Sequence, residues 1–195
     1  MHYYLLYGEN NPNCPAVVLD DDENGTDFRW ETEPINCDLV KMKLMEPFSK
    51  EPEMMDFHQD RIVYFFSRKI HDVLAPLSIQ GIQLLRGEIL NPRNNHIYEN
   101  YYYLHVLNHL GCLNKELSEL KISSRTGTIL SIKKMVLDEE VLSKIPLEER
   151  LVFRLEEMSS FQLFHESIIE KIKSVNPTGL RFVKVEDYHF GSAFD

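Results

Sequence analysis

The chain predicts a mixed α+β domain: a largely antiparallel sheet of about seven or more short strands, with two or three helices. Three observations predict it. Short apolar runs alternate with Gly-, Pro- and Asn-rich punctuation along the whole length. A strand–helix–Gly–strand pattern occurs twice. An apolar share of 43% and an aromatic share of 11% in 195 residues are enough to build a core.

The repeat is the most informative of the three. Its first copy reads Val63 to Phe66, Ser67 to Leu74, then Gly81 to Leu85. Its second reads Phe161 to Phe164, His165 to Ile172, then Gly179 to Val183. The offset is 98 residues throughout, as 179 against 81 shows, and no gap is needed. It places Ile70 on Ile168, Leu74 on Ile172, Leu77 on Val175 and Leu84 on Phe182. If the two strands of a unit pair directly in parallel, the crossover between them is right-handed. Gly81 and Gly179 stand where a helix must end and turn into a strand, which predicts a left-handed cap at each.

Taken in order, residues 2–7 form a Tyr-rich opening or edge strand, and Pro15 to Leu19 form a second apolar run. Asp20 to Gly25 makes an acidic turn. Phe28, Trp30 and Ile35 alternate with polar residues, which predicts a short strand stopped at Pro34. Residues 46–60, with Pro47, Pro52 and the carboxylates Glu46, Glu51, Glu53, Asp56 and Asp60, predict an exposed connection. The first repeat unit follows; Ser67 is the N-cap if strand and helix are separate, although helical spacing from Val63 to Leu77 also allows them to merge. Tyr102 to Leu107 is a strand covered on both faces. Residues 128–133 and Met135 to Leu137 read as further strand. Asp138 caps a short helix ended by Pro146, and Leu151 to Leu155 leads into the second unit. This gives an acidic, β-rich segment at 1–60 and a repeat-bearing α+β core at 61–195, read as one continuous domain.

Charge separates those two segments. The chain carries a net −10. Residues 1–60 hold fourteen Asp and Glu against four Lys and Arg, while residues 61–195 hold seventeen of each. An acidic field of this kind repels nucleic acid and anionic membrane, and favours a basic partner or a metal ion. No window supplies the roughly 18 apolar residues of a membrane span. Three scattered cysteines, Cys14, Cys37 and Cys112, make no disulfide framework and fit a reducing, cytoplasmic setting.

Motif chemistry is sparse. Asp20-x-Asp22-x-Asn24-Gly25-x5-Glu31 satisfies the calcium-loop string, with oxygen ligands at alternate positions and a closing Glu. Its flanks oppose that use: Pro15 to Val18 is a poor entering helix, Pro34 blocks an exiting one, and the usual apolar position is Asp27. An acidic β-turn is the default, with calcium or small-ligand binding through Asp20, Asp22, Asn24 and Glu31 as the alternative. His105 and His109 would share a strand face, without a third metal ligand at a convincing spacing. Cys112 lies near both histidines in sequence, but nothing local forces a Cys–His pair. No nucleophile elbow, phosphate loop or dinucleotide fingerprint occurs. The residues thus support no enzyme and call for no cofactor. Tyr98, Tyr101, Tyr102 and Tyr103 suit either an interface or alternate packing on the core.

Tyr101-Tyr-Tyr-Leu-His-Val-Leu-Asn108, then Phe153-Arg-Leu155, then Phe164 with its helix, and finally Gly179-Leu-Arg-Phe-Val-Lys-Val185 carry a family resemblance. Over roughly residues 57–187 the chain resembles immunity protein family eleven of bacterial polymorphic toxin systems. The resemblance implies a cytoplasmic, non-enzymatic protein that binds and neutralises a cognate toxin domain. It transfers no site residues, because the shared positions are packing positions. Charge distribution makes Asp20, Asp21, Asp22, Glu23 and Asp27 the candidate contacts to a basic toxin, with Trp30 as an aromatic anchor.

Overall fold

Both copies of the repeat fold as strand, helix and strand, and each is completed by a strand from the opposite half of the chain. The computed structural model describes residues 2–9, 11, 13–25, 27–45 and 52–193. Thirteen strands lie among them: β1 (Tyr3–Gly8), β2 (Val17–Leu19), β3 (Val40–Leu44), β4 (Phe57–Asp60), β5 (Val63–Ser67), β6 (Ile82–Asn91) and β7 (His96–Val106). They continue as β8 (His109–Leu110), β9 (Glu119–Ile122), β10 (Ile129–Lys134), β11 (Val152–Leu155), β12 (Gln162–His165) and β13 (Leu180–Lys184). The α-helices are α1 (Asp21–Asn24), α2 (Arg68–Leu74), α3 (Glu139–Ser143) and α4 (Glu166–Lys173).

The strands form a six-stranded sheet in the order β2-β3-β6-β7-β5-β4, a five-stranded sheet β13-β1-β12-β11-β8, and the hairpin β9–β10. Only β3–β6 and β8–β11 pair in parallel. The fold is thus α+β and largely antiparallel. The six-stranded sheet curls until its edges, β2 and β4, approach each other, and the Leu19 N–H bonds the Asp60 carboxylate across the gap at 3.3 Å.

The two strands of a repeat unit do not pair with each other. β7 lies between β5 and β6, antiparallel to both, and β1 lies in the same way between β12 and β13. Helix width explains this: at about 10 Å a helix covers two inter-strand spacings, so the crossover leaves a slot for a third strand. The fillers obey the repeat too. Tyr102 sits opposite Phe66 and Val106 opposite Ile82; Tyr4 sits opposite Phe164 and Gly8 opposite Leu180. Every residue of the second set lies 98 positions from its counterpart, with Tyr3-Tyr4-x-Leu6 repeating as Tyr101-Tyr102-x-Leu104. Each half of the chain has therefore given its central strand to the other.

The two helices meet in one shared core. Ile70 and Leu74 of α2 pack with Ile168, Ile169 and Ile172 of α4, between Leu6, Phe66, Leu104 and Phe164 of the two sheets. The far face of β5 and β7, with Val63, Phe65 and Tyr103, covers a second core inside the curled sheet. Phe153, Leu155 and Leu163 cover a third, against β10 and α3. As predicted for the Tyr102 strand, both faces of β7 are covered from Tyr101 to Val106, while its first five residues stay exposed or half-buried.

Several expectations are corrected. β1 is a central strand rather than an edge, because Tyr3, Leu5 and Leu6 bury both of its faces. Residues 20–25 make a helical turn rather than a β-turn, and residues 28–30 are a 3-10 turn rather than a strand. Asp27 caps that second turn by accepting from the Arg29 N–H at 3.0 Å. Of the connection expected at 46–60, residues 46–51 lie outside the described residues, and 57–60 are β4, with Phe57, His58 and Asp60 buried. Met135 and Val136 fall outside β10. Strand and helix are separate at Ser67, but its hydroxyl donates to Asp56 at 2.7 Å instead of capping α2. The glycines are left-handed, with φ 73° at Gly81 and 76° at Gly179, but they open the following strands. The left-handed residues nearer the helix ends are Ser78 and Asn176, again 98 positions apart.

Candidate functional site

Two of the acidic residues at 20–27, Asp21 and Asp27, are organised by one cation, Arg29. α1 is a single turn stopped by Gly25, whose φ is 70° and whose N–H bonds the Asp21 carbonyl. Asn24 anchors the turn to β3: its amide donates to the Lys41 carbonyl and accepts from the Lys41 N–H, both at 2.8 Å. The 3-10 turn at Phe28–Trp30 then drives Arg29 inward, until the residue is only 8% exposed. There Nη1 donates to Asp21 at 2.8 Å and to Asp27 at 2.8 Å, and Nη2 donates to Asp60 at 2.6 Å. Burial alone would lower the Arg29 pKa, but its bonds to Asp60, Asp27 and Asp21 hold it above the usual value. Burial opposes charge on Asp27 as well, yet the bonds from Arg29 keep its carboxyl below the usual range.

The loop beneath is clamped to both sheets. Tyr103 donates its hydroxyl to the Phe28 carbonyl at 3.0 Å, and buried Arg154 of β11 donates to the Arg29 carbonyl at 3.1 Å. Gln83 pairs with both backbone groups of Ile35, and His105 Nε2 lies 2.9 Å from the Glu33 carbonyl oxygen.

This geometry sorts the sequence candidates. Asp20 is buried, 3.0 Å from Lys43 Nζ. Asp21 and Asp27 are committed to Arg29. Asp22 and Glu23 are exposed, as is Trp30 at 61%. Those three offer free side chains to a partner. The calcium pattern does not assemble, because Asp20 faces Lys43 and both amide atoms of Asn24 serve Lys41. Among the described residues no group of three or more His, Cys, Asp or Glu is placed to hold a metal ion. His105 and His109 do not share a face, since the chain crosses from the six-stranded to the five-stranded sheet between them.

Cys112 is buried, and burial pushes its thiol up to about 12. The contact between sulfur and imidazole forms elsewhere, with Cys14 Sγ 3.7 Å from His58 Nδ1. Burial pushes Cys14 up to about 11 and His58 down to about 4, so the two stay neutral near pH 7 and the thiol is not activated. Two cavities flank these groups. One of about 460 Å³ is lined by Asp21, Asp27, Arg29, Met45 and Asp60. Another of about 610 Å³ is lined by Glu9, Cys14, His58 and Gly179. Sequence reasoning missed Arg29, Asp60 and His58; the one usable signal was a lone arginine within the acidic stretch.

A family model for an immunity protein family, Imm11, matches residues 26–187. The chain belongs to the Imm11 family. The match begins at residue 26, some thirty positions before the resemblance read at 57–187, so it takes in Asp27, Arg29 and Trp30. Imm11 membership points to a role in toxin immunity. No curated protein matches the chain.

Proposed function

We propose that this Imm11 protein binds and neutralises a cognate toxin domain of a polymorphic toxin system in the cytoplasm, by contact rather than by catalysis. The observation that carries the reading is the family match over residues 26–187. The three unpaired cysteines fit a reducing compartment. The partner is basic, and the contact surface is the exposed part of the acidic face: Asp22, Glu23 and Trp30. Negative charge there steers a basic partner and speeds association. Trp30 supplies the large, half-wet aromatic surface that interface anchors use.

The test is co-expression with the C-terminal domain of the toxin encoded immediately upstream. The wild-type chain should rescue growth. Asp22→Lys with Glu23→Lys should slow association and weaken its salt dependence, and Trp30→Ala should speed dissociation. Rescue and rates unchanged in all three variants would remove this surface from the proposal; no binding by the wild type would remove the proposal itself.

A further inference from the structure

The 98-residue repeat lets one half of the molecule serve as a template for the other, and its two helices start differently. α2 begins after Ser67 and α4 after His165, which are counterparts in the repeat. Both have the extended backbone of an N-cap, with φ and ψ of −66° and 165° at Ser67 and −63° and 147° at His165. Ser67 turns its hydroxyl to Asp56, so α2 has no side-chain cap. α4 is capped by an imidazole: His165 Nδ1 accepts from the Ser167 N–H at 3.2 Å and lies 2.9 Å from Ser167 Oγ.

A backbone N–H can only donate. Nδ1 is therefore the acceptor, and the ring is the neutral tautomer with its proton on Nε2. Ser, Thr and Asn cap helices with an oxygen that accepts at any pH, whereas an imidazole accepts only while it is neutral. A proton on Nδ1 sets one donor against another. It also places positive charge at the helix end that favours negative charge.

The ring is 9% exposed and stands edge-on to Tyr3 of β1, with centroids 5.5 Å apart. The charged groups around it are Glu166 and Glu170 of α4, Arg150 ahead of β11, and the amino terminus. Arg150 also donates to the Tyr3 hydroxyl at 2.9 Å. Burial is the largest influence, and with Arg150 and the amino terminus it outweighs the two glutamates, holding the ring's pKa below the ordinary 6.5. Glu166 carries the consequence into the sheet. Its N–H donates to the His2 carbonyl at 3.0 Å, and its carboxylate accepts from the His2 N–H at 3.4 Å. These bonds hold the start of β1, whose ladder partners are β12 and β13.

We propose that His165 is a proton-operated latch: its neutral ring caps α4 and, through Glu166, holds the start of β1, and protonation releases both. The folded ring refuses a proton that the unfolded chain accepts. The latch is therefore closed above pH 6.5 and is lost as the pH falls through the folded value. Protonation of His2, whose Nδ1 lies 2.8 Å from Glu186, strengthens that pair and so acts in the opposite direction.

Hydrogen exchange read residue by residue by NMR on the whole chain tests the latch. As the pH is lowered from about 7 to about 5, protection of the Glu166 and Ser167 amides should fall about fivefold, the worth of an N-cap. The fall should track the titration of the His165 ring, while the Val73 amide of α2 keeps its protection. His165→Asn supplies a cap that accepts at every pH, and should hold the α4 protection constant. The wild-type measurement stands alone if that variant does not fold. Constant protection while the ring titrates overturns the latch, and so does an equal fall at Val73, which marks a global loss. A fall that survives in folded His165→Asn overturns it too.

Discussion

Replacing Arg29 with methionine removes the cation on which the acidic face is built. The Arg29 and Asp60 side chains are each 9% exposed, so this is a buried pair, and removing one partner leaves a buried charge without compensation. Such losses cost about 3–5 kcal/mol. Asp21 and Asp27 are 50% and 43% exposed, and water screens their share to little. For a chain of this size the loss is a drop of roughly 10 °C in thermal midpoint. Urea unfolding followed by circular dichroism measures the whole fold, and fluorescence of Trp30, the only tryptophan, reports on the turn that carries Arg29. Adding Asp60→Leu should recover part of the loss, because burying two apolar groups costs less than burying one unpaired charge. Recovery stays incomplete, since the Leu19 N–H loses its acceptor. A loss below about 1 kcal/mol for Arg29→Met, in the range of an exposed pair, would refute the argument. A double variant no more stable than the single one would refute it as well.

His58 makes stability depend on pH. Its folded pKa is pushed down to about 4 by burial, against an ordinary 6.5, so between those values the unfolded chain binds a proton that the folded chain refuses. Stability is therefore lost as pH falls from 6.5 toward 4, by roughly 3 kcal/mol at about 1.4 per pKa unit. His58→Gln should flatten the urea midpoint across that window, and an unchanged slope would place the dependence elsewhere. Asp27 and Asp56, whose carboxyls are held below the usual range, add their own loss only at lower pH. At Gly179 a Cβ would lie 2.6 Å from Met55 Cβ, with φ at 76°. Gly179→Ala should cost about 2–4 kcal/mol from strain and overpacking together. Gly25→Ala shares the left-handed φ in open space and should cost only about 1–2. Equal urea midpoints for the two would contradict the close approach at Met55.

The sequence revealed what local chemistry controls. The repeat, the Asp138 cap with its 3.0 Å bond from the Val141 N–H, and the covered Tyr strand all follow from spacing and residue type. The strand exchange was present at the same offset, in Tyr3-Tyr4-x-Leu6 and Tyr101-Tyr102-x-Leu104. However, β7 follows the unit it completes as a hairpin with β6, whereas β1 lies more than 150 positions from β12 and β13, and only long-range pairing joins it to them. The acidic face was harder for a different reason. Summing carboxylates treats each as free, whereas a single buried guanidinium binds three of them and reverses which ones are available. Asp60 is 31 positions from Arg29, and no local pattern ties the two. Asp22, Glu23 and Trp30 stay exposed because nothing inside the fold needs them.

The exchange has a consequence for how the molecule holds together. Were each half to keep its own central strand, the two could unfold separately, and the contact between α2 and α4 would be an ordinary interface. With β1 in the second half's sheet, the five-stranded sheet cannot form without the first strand of the chain, whereas the six-stranded sheet is built from the consecutive strands β2 to β7. Opening either sheet breaks the central ladder and exposes Leu6 or Leu104, both fully buried in the shared core. Local opening is therefore costly at the centre and cheap only where pairing is short or one-sided. The edge of β4, with β5 as its one ladder partner, is such a place. The shared core of α2 and α4, by contrast, opens only when both sheets do, because Leu6 and Leu104 cover it from the two sides.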